Sequence, residues 1–293
     1  MQKIEIKNLS VCICKDGRKI DKINNQEFTI NPGDAILLSG PNGSGKSSII
    51  KVMVGDTLDF PELRYEGEIY FIRKNGEMIK VDENEKNRTL FLKNVCYISQ
   101  NDETPFEEVI DCFLSSIDNE DIDNKEKYVF DFVLNNAIYS AYFDSDEIVS
   151  ASKSAKKLLI KLNIFNPTLN EIKTALFLKS KKKHMSGGQA KLLNIASNLV
   201  KYKFCKICFL DEPLNNLDYS NVRLLSNLLT NIQEEIPELA FVIVSHCRAI
   251  QIINRIVEID TNSKALVEIQ STGRTVNLEC SSCFGKLKDR RYV

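Results

Sequence analysis

Polar and apolar residues alternate from the start of the chain, with Ile4 and Ile6 between charged neighbours, and this period of two predicts a strand over 3–9. A second strand is predicted at 27–30, followed by the turn-forming run Asn31-Pro32-Gly33-Asp34. Ala35-Ile36-Leu37-Leu38 is apolar at every position and reads as a short strand buried on both faces; Ser48 to Val54 reads as a helix. Residues 56–99 hold alternating segments, Gly67 to Ile72 and Asn94 to Ile98, which predict a small antiparallel sheet. From about Thr104 to Lys183 the period becomes helical, over Glu107–Ile117, Lys125–Tyr142, Ile148–Leu162 and Leu169–Leu178, with a break and a new helix start at Pro167-Thr168. A helix carrying Leu192, Leu193, Ile195, Ala196 and Leu199 follows. Then come the apolar run Ile207–Leu210, a helix around Val222–Ile232 and a second apolar run, Ala240–Val244. Strands alternating with helices imply an α/β fold: a mostly parallel sheet, a small antiparallel β subdomain and an enlarged α-helical subdomain at about 101–200. Residues 263–293 are more polar and read as a C-terminal accessory segment or tail.

A length of 293 residues allows one large domain or two small ones. The formal net charge of −1 gives no whole-chain attraction to a polyanion, so no direct nucleic-acid partner is expected. Met1 to Lys7 lacks the apolar run of a signal peptide, and no stretch approaches 18 uninterrupted apolar residues, which predicts a cytoplasmic protein that does not cross a membrane by itself. Nine cysteines without a secretory signal read as reduced thiols. Two C-x-x-C pairs raise the question of zinc. Cys205 and Cys208 fall in an apparent strand, where residues three apart face opposite ways and cannot share a metal. Cys280 and Cys283 sit in a looser tail where ligation is geometrically open, yet two cysteines fall short of four ligands. Lys179-Ser180-Lys181-Lys182-Lys183 reads either as a solvated charged face or as an anion-binding patch.

The chemistry is concentrated in Gly40-Pro41-Asn42-Gly43-Ser44-Gly45-Lys46-Ser47-Ser48, which fits G-x-x-x-x-G-K-[ST] between a predicted strand and a predicted helix. Glycines let successive N–H groups turn inward toward anionic oxygens, and the helix that follows adds the positive end of its dipole. In such a loop Lys46 reaches the β- and γ-phosphates and the Ser47 hydroxyl holds Mg²⁺. Asp211 and Glu212 end one apolar strand and His246 follows another, so all three fall with Gly40 at carboxyl ends of strands, where α/β sheets bind ligands. Ser186-Gly187-Gly188-Gln189 opens a helix whose N–H groups and hydroxyl suit a second phosphate contact.

The phosphate loop, Gln100, Met185 to Gln189, Ile207 to Glu212 and His246 occur in the order typical of nucleotide-binding domains of the ATP-binding cassette (ABC) superfamily, which the chain resembles across roughly residues 1–262. The resemblance implies a P-loop NTPase core, ATP and Mg²⁺ as ligands, and hydrolysis. It casts Glu212 as general base, His246 as γ-phosphate contact, Asp211 and Gln100 near the metal, and Ser186 to Gln189 against the nucleotide of a second cassette. It further implies a separate transmembrane subunit at the inner face of a membrane. Asn215 and Asn216 after Glu212, and Ser245-His246-Cys247-Arg248, are closer to soluble translation-associated members, so action on ribosomes or another complex is the alternative. Two departures stand out. Val11 to Gly17, where the family places an adenine-stacking ring, has no aromatic, and the stretch between Gln100 and Ser186 is longer than in typical importer ATPases. Phe106, Val109 and Ile110 are candidates either for an exposed patch that receives the membrane subunit or for ordinary helix core.

Overall fold

The computed structural model describes residues 3–55, 60–82, 84–100, 105–117, 122–143, 152–246 and 250–269. The chain divides into two compact units, the first formed by 1–100, 204–213 and 233–293 and the second by 101–203 and 214–232.

The first unit holds two sheets. β1 (Lys3–Lys15) pairs antiparallel with β2 (Arg18–Ile30) on one side and β4 (Leu63–Ile72) on the other; β5 (Met78–Lys80) completes the order β2-β1-β4-β5. β2 is far longer than the apolar segment 27–30 suggests, because its first half is a polar arm held by main-chain pairing to β1. The second sheet has the order β10-β9-β3-β8-β7-β6, from β3 (Ala35–Ser39), β6 (Val95–Ile98), β7 (Ile207–Asp211), β8 (Ala240–Val244), β9 (Arg255–Asp260) and β10 (Ala265–Ile269). All its pairings are parallel except β9 with β10. Every residue of β7 and β8 is buried, as expected of parallel strands covered on both faces. Asn94–Ile98 thus belongs to the parallel sheet, not the antiparallel one: Val95, Cys96 and Ile98 are all buried, and the strand pairs with β7. α1 (Lys46–Met53) buries Ile49, Ile50, Val52 and Met53, and α2 (Glu85–Leu92) is capped by the Asn84 side chain.

The second unit is helical: α3 (Val109–Leu114), α4 (Lys125–Asn135), α5 (Lys153–Lys161), α6 (Leu169–Leu178), α7 (Gly187–Leu199) and most of α8 (Tyr219–Glu235). The helical pattern over Lys125–Tyr142 breaks at Ala137, which takes φ +51° before a 3-10 turn at Ile138–Ala141. Its core includes the ring pairs Phe113–Phe132 and Phe132–Tyr202, at 6.1 and 5.9 Å. Val109 and Ile110 belong to the helix core, at 0% and 2% exposure, so of the three patch candidates Phe106 alone is exposed, at 41%. Cys205 precedes β7 and only Cys208 lies in it, so the two thiols are not held on opposite faces of one strand. Even so, no group of three or more potential metal ligands forms among the described residues. Cys280 and Cys283 lie outside the described residues, and no described helix is long and apolar enough to cross a membrane.

Candidate functional site

The site lies at the carboxyl edge of the parallel sheet, where β3, β7 and β8 end side by side. Their continuous apolar sequences hold the strands in the core, so the first polar residues beyond them are delivered to one edge. β3 delivers the loop Gly40–Gly45 and α1; β7 delivers Asp211 and Glu212; β8 delivers Ser245 and His246. Gln100 is exposed two residues beyond β6, whose pairing with β7 brings it to the same edge.

The loop is built to leave donors open. Gly45 is the N-cap of α1 with φ +105°, a conformation that glycine adopts without steric cost, and no side chain caps the helix. Ser44 is buried, and its hydroxyl meets no partner among the described residues. Gly43 has nothing within 4 Å of where a Cβ would stand. An uncapped helix start, an orphaned hydroxyl and open space above a glycine fit an incoming anion rich in acceptors, as a polyphosphate is.

Lys46 is buried, and its ammonium donates to the carbonyls of Gly40 and Pro41 at 2.9 and 3.1 Å. Burial pushes its pKa below that of an ordinary lysine, while the Glu212 and Asp211 carboxylates pull it back up. The Nε2 of His246 lies 3.3 Å from the Lys46 ammonium and 3.3 Å from Glu212 Oε1. The Ser47 hydroxyl donates to Asp211 Oδ1 at 2.9 Å. Lys46, Ser47, Asp211, Glu212 and His246 therefore form one connected cluster. Glu212 is 6% exposed and adopts φ +50°, a left-handed conformation uncommon outside glycine; its N–H donates to Val244 O at 3.0 Å. The Ser47–Asp211 pair places a hydroxyl and a carboxylate oxygen together, a hard donor set suited to Mg²⁺.

Ser186 to Gln189 lie in the second unit and form a separate structure. Ser186 is the N-cap of α7: its hydroxyl accepts from the Gln189 N–H, and the Gln189 side-chain oxygen accepts from the Ser186 N–H at 2.8 Å. The Gln189 amide group also donates to Ala141 O at 2.6 Å. A Cβ on Gly188 would come within 3.1 Å of Asn221 Nδ2, whereas one on Gly187 would meet nothing.

The family model described as ABC transporter matches residues 23–215, well over half of the chain. The chain belongs to this family. The match spans the loop, Gln100, Ser186 to Gln189, Asp211 and Glu212. Among curated relatives, the lipoprotein-releasing system ATP-binding protein LolD of Wigglesworthia glossinidia brevipalpis is 26% identical over 243 residues, covering 83% of this chain and 87% of the relative. A solved dimeric bacterial ABC transporter cassette superposes with a TM-score of 0.63 at 19% identity, covering 92% of this chain and all of that one. A cassette in a post-hydrolysis state, bound to ADP and Pi, gives 0.57 at 21%, over 92% and 100% of the respective chains. At these identities the structural likeness speaks to the fold, a P-loop NTPase core with its parallel sheet. The protein is an ABC-type ATPase.

One residue at this edge carries no motif signature. Lys22, on β2, donates to Gly43 O at 2.7 Å, and its stem lies against Gly45. Nothing in the apolar pattern distinguishes it from neighbouring Lys19 or Asp21. Phe28, an aromatic on β2, is 9% exposed and belongs to the core, with the Arg255 guanidinium 5.6 Å from its ring centre.

Proposed function

We propose that this chain is the ATP-hydrolysing subunit of a membrane transporter, pairing with a second cassette and acting on a separate membrane-spanning subunit. The observation that carries the hydrolytic part of this reading is the cluster in which His246 bridges Lys46 and Glu212 beside the Ser47–Asp211 pair, and the family match and curated relatives support the transporter part. Lys46 would exchange the loop carbonyls for the β- and γ-phosphates of ATP. Ser47, Asp211 and Gln100 would hold Mg²⁺, directly or through its water shell, and the ion when bound would neutralise charge on the phosphate oxygens. Glu212 would take a proton from the attacking water as the bond from the γ-phosphorus to the β–γ bridging oxygen breaks. His246 is placed to orient that water and to contact the γ-phosphate, and burial among apolar strands keeps the Glu212 carboxylate in position.

In this scheme Ser186 to Gln189 address the γ-phosphate of ATP held by the second cassette, so ATP joins two chains and hydrolysis releases them. Phe106, exposed in the second unit, is the remaining candidate for contact with the spanning subunit. The test of the chemistry is Glu212→Gln, which preserves shape and hydrogen bonding but removes the base. Steady-state ATP turnover is expected to fall at least a hundredfold while ATP binding persists and an ATP-bound dimer accumulates in size-exclusion chromatography. Near-normal turnover would remove Glu212 from the role of base. The transporter assignment is tested by co-expression: recovery in the membrane fraction should require a spanning partner, and recovery with ribosomes instead would replace this reading with the alternative.

A further inference from the structure

The pairing of β1 with β2 shifts register at three places, the last between Val11 and Cys12. Val11 stands opposite Ile23 and Cys12 opposite Asp21, so a single step on β1 spans two on β2, and Lys22 faces no partner. Bulges of this kind bend a strand and re-aim a side chain, and they are over-represented next to active sites. Here the re-aimed side chain lies along the phosphate loop. A methyl group placed on Gly45 would come within 2.7 Å of Lys22 Cβ and 2.9 Å of its Cγ, so the stem rests directly on the N-cap of α1. The ammonium ends 2.7 Å from Gly43 O. Among the described residues Lys22 has no carboxylate partner. The loop therefore carries two ammonium groups on its own carbonyls: buried Lys46 on Gly40 and Pro41, and half-buried Lys22 on Gly43. A neutral carbonyl is a weaker partner for an ammonium than a phosphate oxygen, because the phosphate adds the attraction of its negative charge to the hydrogen bond.

We propose that Lys22 is a second phosphate-binding cation of this site, transferring from Gly43 O to a phosphate oxygen when a nucleoside triphosphate enters the loop. The proposal rests on the reading of the loop as a nucleotide site and adds what the site selects. Residues 11–17 supply no ring for the base, and Phe28 is committed to the core. Affinity then resides in the triphosphate, and the substrate class is nucleoside triphosphates with little preference of base.

Isothermal titration of the full chain with ATP, with GTP and with sodium tripolyphosphate tests this. Wild type is compared with Lys22→Met, which keeps the stem and removes the charge, with Lys22→Arg, which keeps the charge, and with Lys46→Ala. Lys22→Met is expected to weaken all three ligands about tenfold. Lys22→Arg is expected to bind near wild type, and the deficit of Lys22→Met should shrink at high salt. Wild type should bind ATP and GTP within about tenfold of each other. Unchanged tripolyphosphate binding by Lys22→Met overturns the proposal, whether ATP binding is also unchanged or is lost alone; the latter would put Lys22 at the sugar or base. If Lys46→Ala binds ATP as tightly as wild type, the reading of the loop itself has failed. A silent Lys22→Met beside a weakened Lys46→Ala overturns only the role of Lys22.

Discussion

Two glycine-rich segments open helices in this protein, and they solve the same local problem in opposite ways. The loop before α1 uses glycines with positive φ at Gly40, Gly43 and Gly45 and, among the described residues, has no side-chain cap and leaves a buried serine hydroxyl without a partner. The segment before α7 is self-sufficient: Ser186 and Gln189 satisfy each other's N–H groups, and neither Gly187 nor Gly188 has positive φ. An uncapped start is a standing receptor for an anion. A capped start must give up hydrogen bonds of its own before it accepts one from outside, so it responds only to a ligand strong enough to displace them. This is the contrast expected if one segment holds nucleotide throughout and the other engages it only when two cassettes meet.

The largest expected effect separates the two segments in binding. Lys46→Ala should weaken ATP binding by about 10- to 100-fold, whereas Ser186→Ala should leave binding to the single chain within about twofold, both read by titration of dilute protein. Equal losses would erase the distinction. Gly45→Ala comes next: φ +105° is unfavourable for any side chain, and the added methyl collides with Lys22, so unfolding stability should fall by about 1–3 kcal/mol in urea titrations. Ser186→Ala removes a capping box and should cost about 1 kcal/mol in the same measurement. The smallest effect has the opposite sign. Gly187 has open space around it and needs no special backbone, so Gly187→Ala should stabilise the chain by about 0.5–1 kcal/mol. If turnover nevertheless falls in that variant, the space above Gly187 is used by something from outside the chain.

The parts legible from sequence are those whose chemistry demands a residue type at a fixed spacing. Lys46 and Ser47 follow a glycine pattern, and Asp211, Glu212 and His246 follow short, uniformly apolar runs of the kind expected of buried parallel strands. Their convergence at one sheet edge then follows from topology. Lys22 was not legible because its place against Gly43 and Gly45 depends on a one-residue slip in strand pairing, which leaves no trace in the alternation of polar and apolar residues. Asn94–Ile98 departs from its pattern for a related reason: alternation suits an antiparallel strand, and only the burial of Val95, Cys96 and Ile98 beside β7 places it in the parallel sheet. Val109 and Ile110 show the same ambiguity in helices, where one spacing serves an inner face and an exposed patch alike.

Glu212 holds its carboxylate in place with a backbone that glycine would adopt more comfortably. If Glu212 is the base, heat resistance and turnover are opposed at a single codon. A library sorted only by survival at high temperature should enrich Glu212→Gly, since relief of the strained backbone favours the folded state while the proposed base is lost.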